Sequence, residues 1–203
     1  MAINYTIMAE VVDIRSDEPL ADDVFFVDTN VWYWMTYPAA TAMHQSQLRD
    51  YPNYLNKALG NGSKICHSGL SMAELTHIIE RTEHKIYEQS VKSIKTKEYR
   101  HNLSDERARV VATVQAVWAQ VANLASPLPF VIDTSTTQTA LKRLVNEKVD
   151  GYDLFLLEAM KNNGVVQIIT DDGDFSSVSG IKIFTANLNV IRAARDQGKL
   201  IKR

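Results

Sequence analysis

The 203-residue sequence contains a single cysteine, Cys66, which excludes an internal disulfide and a cysteine-based zinc cluster. That usage suits a reducing compartment. No apolar run reaches the roughly 18–20 residues that a membrane helix needs, and the first 23 residues carry acids where a secretory signal has positive charge and an apolar core. A soluble, cytoplasmic protein without a membrane partner is expected. A large excess of one charge is also missing: 22 Lys and Arg face 24 Asp and Glu, a formal net charge of −2. This rules out a uniformly basic coat, though a local basic strip remains compatible, because affinity depends on where charges sit. Finally, DTNVWYW follows the first apolar strand where a dinucleotide-binding fold would place a glycine-rich loop.

What is present fits one globular domain: 45% hydrophobic and 23% charged residues over a length sufficient for one core. Residues 24–28, VFFVD, form a short apolar run that suits a strand buried on both faces. TNVWYWM then begins a helix that Thr29 or Asn30 can cap. KICHS (64–68) reads as a second strand, and Ser71 opens a helix with Glu74 in capping-box spacing. The charged stretch 80–109 and the apolar-periodic stretch 110–124 predict two long helices with a break near HNLSDE. Helices are also expected over 134–145 and 152–162, the latter stopped by NNG. VVQIIT (165–170) and IKIFTA (181–186) complete a set of short apolar strands separated by helices. That alternation predicts an α/β fold with a mainly parallel sheet. The expected organisation is an N-terminal arm (1–23), a main domain (24–187) with an extended helical segment (81–126), and a basic C-terminal tail (188–203).

Functional groups of parallel sheets gather at the carboxyl ends of the strands. Two strands end in acids here: VFFVD at Asp28, and VVQIIT at Asp171, Asp172 and Asp174. Each alone is equally well explained as a cap or a turn former. Two helices contribute further acids in apolar surroundings, Glu74 in SMAELTHIIE and Asp153 in GYDLFLLEAM, with Asp150 one turn before the latter. Carboxylates so placed are costly unless paired or bound to a cation, and as a cluster they repel one another and raise their own pKa values. A divalent ion resolves both problems, and oxygen-only ligation favours Mg²⁺ or Mn²⁺ over zinc.

These pieces resemble the PIN-domain nucleases, including the VapC-type toxins of toxin–antitoxin pairs. The resemblance is carried by FVDTNVW (26–32), by SGLSMAELTHIIE (68–80) with Glu74 in an Ala-Glu-Leu setting, and by DGYDLFLLEAMKNNGVVQIITDDGDF (150–175). In the last of these a Thr-x-Asp element falls on Thr170 and Asp172, followed by Asp174-Phe175. The resemblance implies a three-layer PIN-like sandwich and a metal-dependent endoribonuclease. It makes Asp28, Glu74, Asp153 and Asp172 the catalytic, metal-binding quartet, Asp174 an auxiliary ligand, and Thr29 or Asn30 a supporting or phosphate-facing group. It further implies an RNA substrate, products with a 5′-phosphate and a 3′-hydroxyl, a small protein antitoxin as partner, and a homodimer.

Basic groups must supply affinity around an acidic cleft. Residues 81–109 hold eight Lys and Arg against five Asp and Glu, and residues 190–203 hold five bases against one acid. Lys92, Lys95 and Arg100 are expected on an RNA-facing strip, with Tyr87 and Tyr99 available for stacking on bases. The bland alternative for both runs is a solvated surface. His67 and His77 flank the Glu74 motif and read as structural. Trp32, Tyr33 and Trp34 read as core or dimer contacts. A dehalogenase-type phosphatase needs a second aspartate two residues after the first, where Asn30 stands. The non-enzymatic alternative is a catalytically silent PIN module acting as an RNA-binding or assembly scaffold.

Overall fold

Successive side chains of the central strands point to opposite faces of the sheet, and both faces are buried. The computed structural model describes residues 3–203. In chain order the elements are β1 (Glu10–Asp13), β2 (Val24–Val27), α1 (Thr29–Thr36), α2 (Gln47–Gly60), β3 (Lys64–His67), α3 (Gly69–Ser90), α4 (Thr96–Asn102), α5 (Ser104–Leu124), β4 (Ser126–Pro127), α6 (Thr134–Leu144), α7 (Gly151–Asn162), β5 (Gln167–Ile169), β6 (Lys182–Thr185), α8 (Leu188–Asp196) and β7 (Leu200–Ile201). Among the described residues they form one seven-stranded sheet in the order β4-β3-β2-β5-β6-β1-β7, every pairing parallel.

Phe25 and Val27 of β2, Ile65 of β3, Ile169 of β5 and Phe184 of β6 face one side. There they meet Trp32 of α1, Tyr51, Tyr54 and Leu55 of α2, Leu75 and Ile79 of α3, and Val117 and Val121 of α5. Phe26, Cys66, Ile168 and Ile183 face the other side, against Ala140 of α6 and Leu156, Leu157 and Met160 of α7. Val11 of β1 adds a smaller cluster with Val190, Ile191 and Ala194 of α8. The result is the three-layer α/β architecture expected, with each fully buried large apolar side chain contributing about 1.5–3 kcal/mol. Among the described residues no helix is long and apolar enough to cross a membrane.

Several local expectations are corrected. Residues 10–13 of the expected arm form a sheet strand, because Val11 and Val12 are buried between β6 and β7; residues 1–2 of that arm lie outside the described residues. The expected basic tail folds into α8 and β7. Its last residue, Arg203, bonds Asp17 and Asp23 and stacks over the Phe184 ring at 4.5 Å. Helix α2 contains a proline, which locally argues against a helix. Pro52 removes one backbone donor, but burial of Tyr51, Tyr54, Leu55 and Ala58 outweighs that loss. Asp28 itself caps α1, rather than Thr29 or Asn30. Ser68 caps α3, so Glu74 stands in the second turn and makes no capping box. The helix begun at Gly69 runs to Ser90, and Ser104 begins α5 without capping it.

The aromatic and apolar surplus expected for a dimer is taken up internally: Trp32, Tyr33, Val110, Val117 and Val121 are all buried within the chain. Tyr99 is buried too, against His84 and Tyr87, and so cannot stack on a base. His67 is a core residue, edge-on to Trp118, and its burial lowers its pKa.

Candidate active site

Because all strands run the same way, β2 and β5 deliver their terminal acids to one sheet edge, where the starts of α1, α3 and α7 also arrive. Asp28 follows Val27 and is buried. One carboxylate oxygen accepts from the Thr29 amide at 2.6 Å and the other from the Thr170 hydroxyl at 2.7 Å. The Thr29 hydroxyl donates to Glu74 Oε2 at 2.6 Å. The Asp172 amide donates to Thr170 Oγ1 at 2.9 Å, and the Asp174 amide to Asp172 Oδ1 at 2.8 Å. Two threonines therefore link Glu74, Asp28, Asp172 and Asp174 in one hydrogen-bonded chain. Asp153, in the first turn of α7, is buried, and its amide is capped by Asp150.

The electrostatics report how close these groups lie. Burial pushes Asp28 up to about 7, with the charges of Asp172 and Glu74 adding to the rise and the Thr170 and Thr29 bonds opposing it. Burial raises Asp153 to about 9, and Asp28, Asp150, Asp172 and Glu74 all contribute. Glu74 is raised by burial and by Asp150 and Asp172, against its bond from Thr29. Asp174 lies nearer solvent; partial burial and the charges of Asp172 and Asp150 raise it. The four expected acids are thus neighbours, and their charges help to raise Asp28, Glu74 and Asp153. Asp150, which could reach the same side if its helix began early, caps α7 and belongs to the same group.

Among the described residues, no set of three or more His, Cys, Asp or Glu side chains is gathered closely enough to hold a metal ion as it stands. As they stand, Glu74 is bonded to Thr29, and Asp28 to Thr29 and Thr170. Asp171 is turned elsewhere: Tyr51 donates to it at 2.6 Å and Gln47 bonds its other oxygen, tying α2 to the acidic loop. Sequence reasoning missed this anchor and also the bridging role of Thr170, since both depend on partners more than 100 positions away.

The expected basic strip is partly dismantled. Arg100 and Arg107 are paired with the buried Glu80, and Arg109 with Glu106. Asn30 is half-buried and lines the cleft beside Asp172, whereas Thr29 is buried and positions Glu74.

Comparison with known proteins adds one decisive match. No curated protein matches the chain. Among solved structures, VapBC2 from Rickettsia felis, bound to a DNA fragment from its promoter, is similar with 12% identity and a TM-score of 0.48, over 80% of this chain and 98% of that one. FitAcB from Neisseria gonorrhoeae is similar with 15% identity and a TM-score of 0.42, over 80% and 97% of the two chains. The family model of the PIN domain matches residues 25–181. That span runs from β2 to the last residue before β6 and contains every acid of the cluster, so the chain belongs to the PIN domain family, whose members are generally nucleases.

Proposed function

We propose that the protein is a divalent-metal-dependent endoribonuclease that hydrolyses phosphodiester bonds of single-stranded or structured RNA, as the toxin of a toxin–antitoxin pair. The observation that carries this reading is the arrival of four carboxylates from four separate elements at one sheet edge, three of them linked through Thr29 and Thr170. Burial and neighbouring carboxylates raise Asp28 to about 7, against its bonds from Thr170 and Thr29, and Asp153 to about 9. A fold that keeps such a group together invites a cation.

The donor set fits Mg²⁺ or Mn²⁺ in its chemistry, being all carboxylate oxygen. Asp28, Glu74, Asp153 and Asp172 would hold the ion, with Asp174 as auxiliary ligand, after side-chain adjustment from their present bonds. Such an ion supplies Lewis acidity toward the phosphodiester and offsets the carboxylate charge. The chain's own contribution is positioning. Thr29 orients Glu74, and Thr170 orients Asp28 while holding the Asp172 amide. No Ser, Cys or His nucleophile is required.

The toxin role rests on the resemblance of the motif set to VapC-type toxins, and the partner it implies is a small protein antitoxin. The assembly proposed on the same ground is a homodimer, which sedimentation at micromolar concentration tests. The activity is tested by incubating purified protein with end-labelled single-stranded RNA and Mn²⁺ or Mg²⁺, with and without chelator. Cleavage that stops on chelation, leaving 5′-phosphate and 3′-hydroxyl ends, supports the reading. RNA binding without cleavage under either ion would assign the silent-module function instead.

A further inference from the structure

Helix α3 carries more than Glu74. Glu74, Ile78, Arg81 and Lys85 recur at intervals of four, three and four residues, so they share one helical face. At 1.5 Å per residue, Arg81 and Lys85 lie about 10 and 16 Å along the helix axis from Glu74. Ile78, Arg81 and Lys85 of that face line a cleft of about 730 Å³ that also takes in Asn30, Asp171 and Asp172, while Glu74 borders the groove on the other side of α3. Trp34 and Gln47 contribute to the opposite side. Arg81 and Lys85 enter no ion pair among the described residues, whereas Arg100, Arg107 and Arg109 of the following segment are held by glutamates. Trp34 packs one part of its ring on the fully buried Tyr51, with centroids 5.2 Å apart, and is itself half-buried and open to the cleft.

We propose that this cleft is the subsite for the single-stranded RNA segment flanking the bond that is cut, with a base stacked on Trp34 and two phosphates met by Arg81 and Lys85. The inference rests on the nuclease reading above and deepens it. Three features select the ligand. Two unpaired cations in line along a helix suit successive phosphates, an accessible indole suits the face of an unpaired base, and the cleft ends at the acidic cluster. The groove on the other side of α3 is lined by Glu74, Glu80 and Asp150, with Arg81 its one Lys or Arg. With Glu80 already paired to Arg100 and Arg107, that side sets one cation against Glu74 and Asp150, whereas the first cleft sets two cations against Asp171 and Asp172. Lys92 and Lys95 lie in the connection beyond α3 and do not line the cleft.

Binding of a short fluorescein-labelled single-stranded RNA, followed by anisotropy in Mn²⁺ on the slowly cleaving Asp28→Asn background, tests the assignment. Adding Arg81→Ala and Lys85→Ala together is expected to weaken binding about tenfold at low salt. The slope of log affinity against log salt should flatten by about 1.4, two phosphates at about 0.7 each. Trp34→Ala is expected to weaken binding about tenfold with an unchanged slope. Trp34→Phe keeps a stacking face and most of the affinity but removes the RNA-induced quenching of indole emission, which separates stacking from misfolding. Lys92→Ala with Lys95→Ala should leave affinity and slope unaltered. The assignment is overturned if no RNA binds, if the cleft variants match their parent, or if the Lys92/Lys95 control loses as much. A cleft that serves a protein partner gives the second of these results. If binding behaves as expected but wild type cuts nothing with Mn²⁺ or Mg²⁺, the nuclease reading falls while the subsite stands. If wild type cuts and the cleft variants bind normally, the reverse holds.

Discussion

The outer end of the Tyr5 phenol ring stands where a Cβ on Gly173 would lie, in the acidic loop between Asp172 and Asp174, so that a side chain there must displace the ring. The arm is fixed in that position by Gln197, which bonds the Tyr5 carbonyl and the Ile7 amide, and by the Met8 amide bonding Ser176 O. Tyr5 lies before the segment matched by the PIN family model, yet it buttresses the loop that carries Asp172.

The first prediction follows from that contact. Gly173 has ordinary right-handed helical angles, φ −71 and ψ −16, so alanine suits its backbone and would by itself stabilise by about 0.4–1 kcal/mol. The Tyr5 ring reverses the sign. Gly173→Ala is expected to destabilise by about 1–3 kcal/mol through overpacking, and Tyr5→Ala should abolish that penalty. A double-mutant cycle in urea decides; additive effects would show that the ring does not press on the loop.

A second prediction concerns the threonine links. Thr170→Val preserves shape but removes the hydroxyl shared by Asp28 and the Asp172 amide. Activity and Mn²⁺ affinity should fall about 10–100-fold, the usual cost of losing a group that orients a metal ligand. Thr170→Ser should retain most of both. Titration of Mn²⁺ against each variant, beside its cleavage rate, provides the check.

A third prediction is a pH dependence with a definite sign. Asp28 and Asp153 titrate near 3.8 when unperturbed but at about 7 and about 9 in the folded chain. Their folded pKa values are raised, so the folded state binds more protons across that window. The stability they contribute is complete below about pH 4 and is lost as pH rises through 7 and then 9. His67, whose pKa is lowered by burial, works the opposite way at the acid end. In chelator, wild type should therefore melt about 5 °C or more lower at about pH 9 than at about pH 6. Asp153→Asn should flatten the upper part of the fall, and Mn²⁺ should cancel it. A melting temperature that climbs across this range in chelator would contradict the reading of the acids.

A fourth prediction reassigns the C-terminal bases. Arg203 bridges Asp17 and Asp23, whose carboxylates are nearly buried, and holds the pKa of Asp23 below its usual range against burial. Arg203→Ala strands both acids and should cost about 2–3 kcal/mol, a discounted figure because the guanidinium is partly exposed. RNA affinity and its salt slope should not move. A loss of RNA binding without a loss of stability would restore the tail as a nucleic-acid contact.

How much of this was readable in the sequence depended on distance along the chain. Asp28 and Glu74 were visible because an acid beside or within apolar residues needs an explanation, although the threonines that orient them come from other elements. Strand β1 was not, since two valines between Glu10 and Asp13 carry little periodic signal and owe their burial to β6 and β7. The start of α3 was misplaced because Ser68 and Ser71 are equally good caps locally, and only tertiary packing chooses Ser68. Arg100 looked like a free base because its partner, Glu80, lies on another helix. Likewise, nothing local marks Tyr5 as the reason for a glycine at 173.

The most direct test of the central claim is the cleavage rate of labelled single-stranded RNA by wild type and by Asp28→Asn, at matched fold and in the same Mn²⁺ concentration. The substitution keeps the cap and the shape but removes the carboxylate charge at the centre of the threonine-linked chain. The account predicts a chelator-sensitive wild-type rate and a loss of at least about 100-fold in the variant. Equal rates in two preparations free of contaminating nuclease would contradict it.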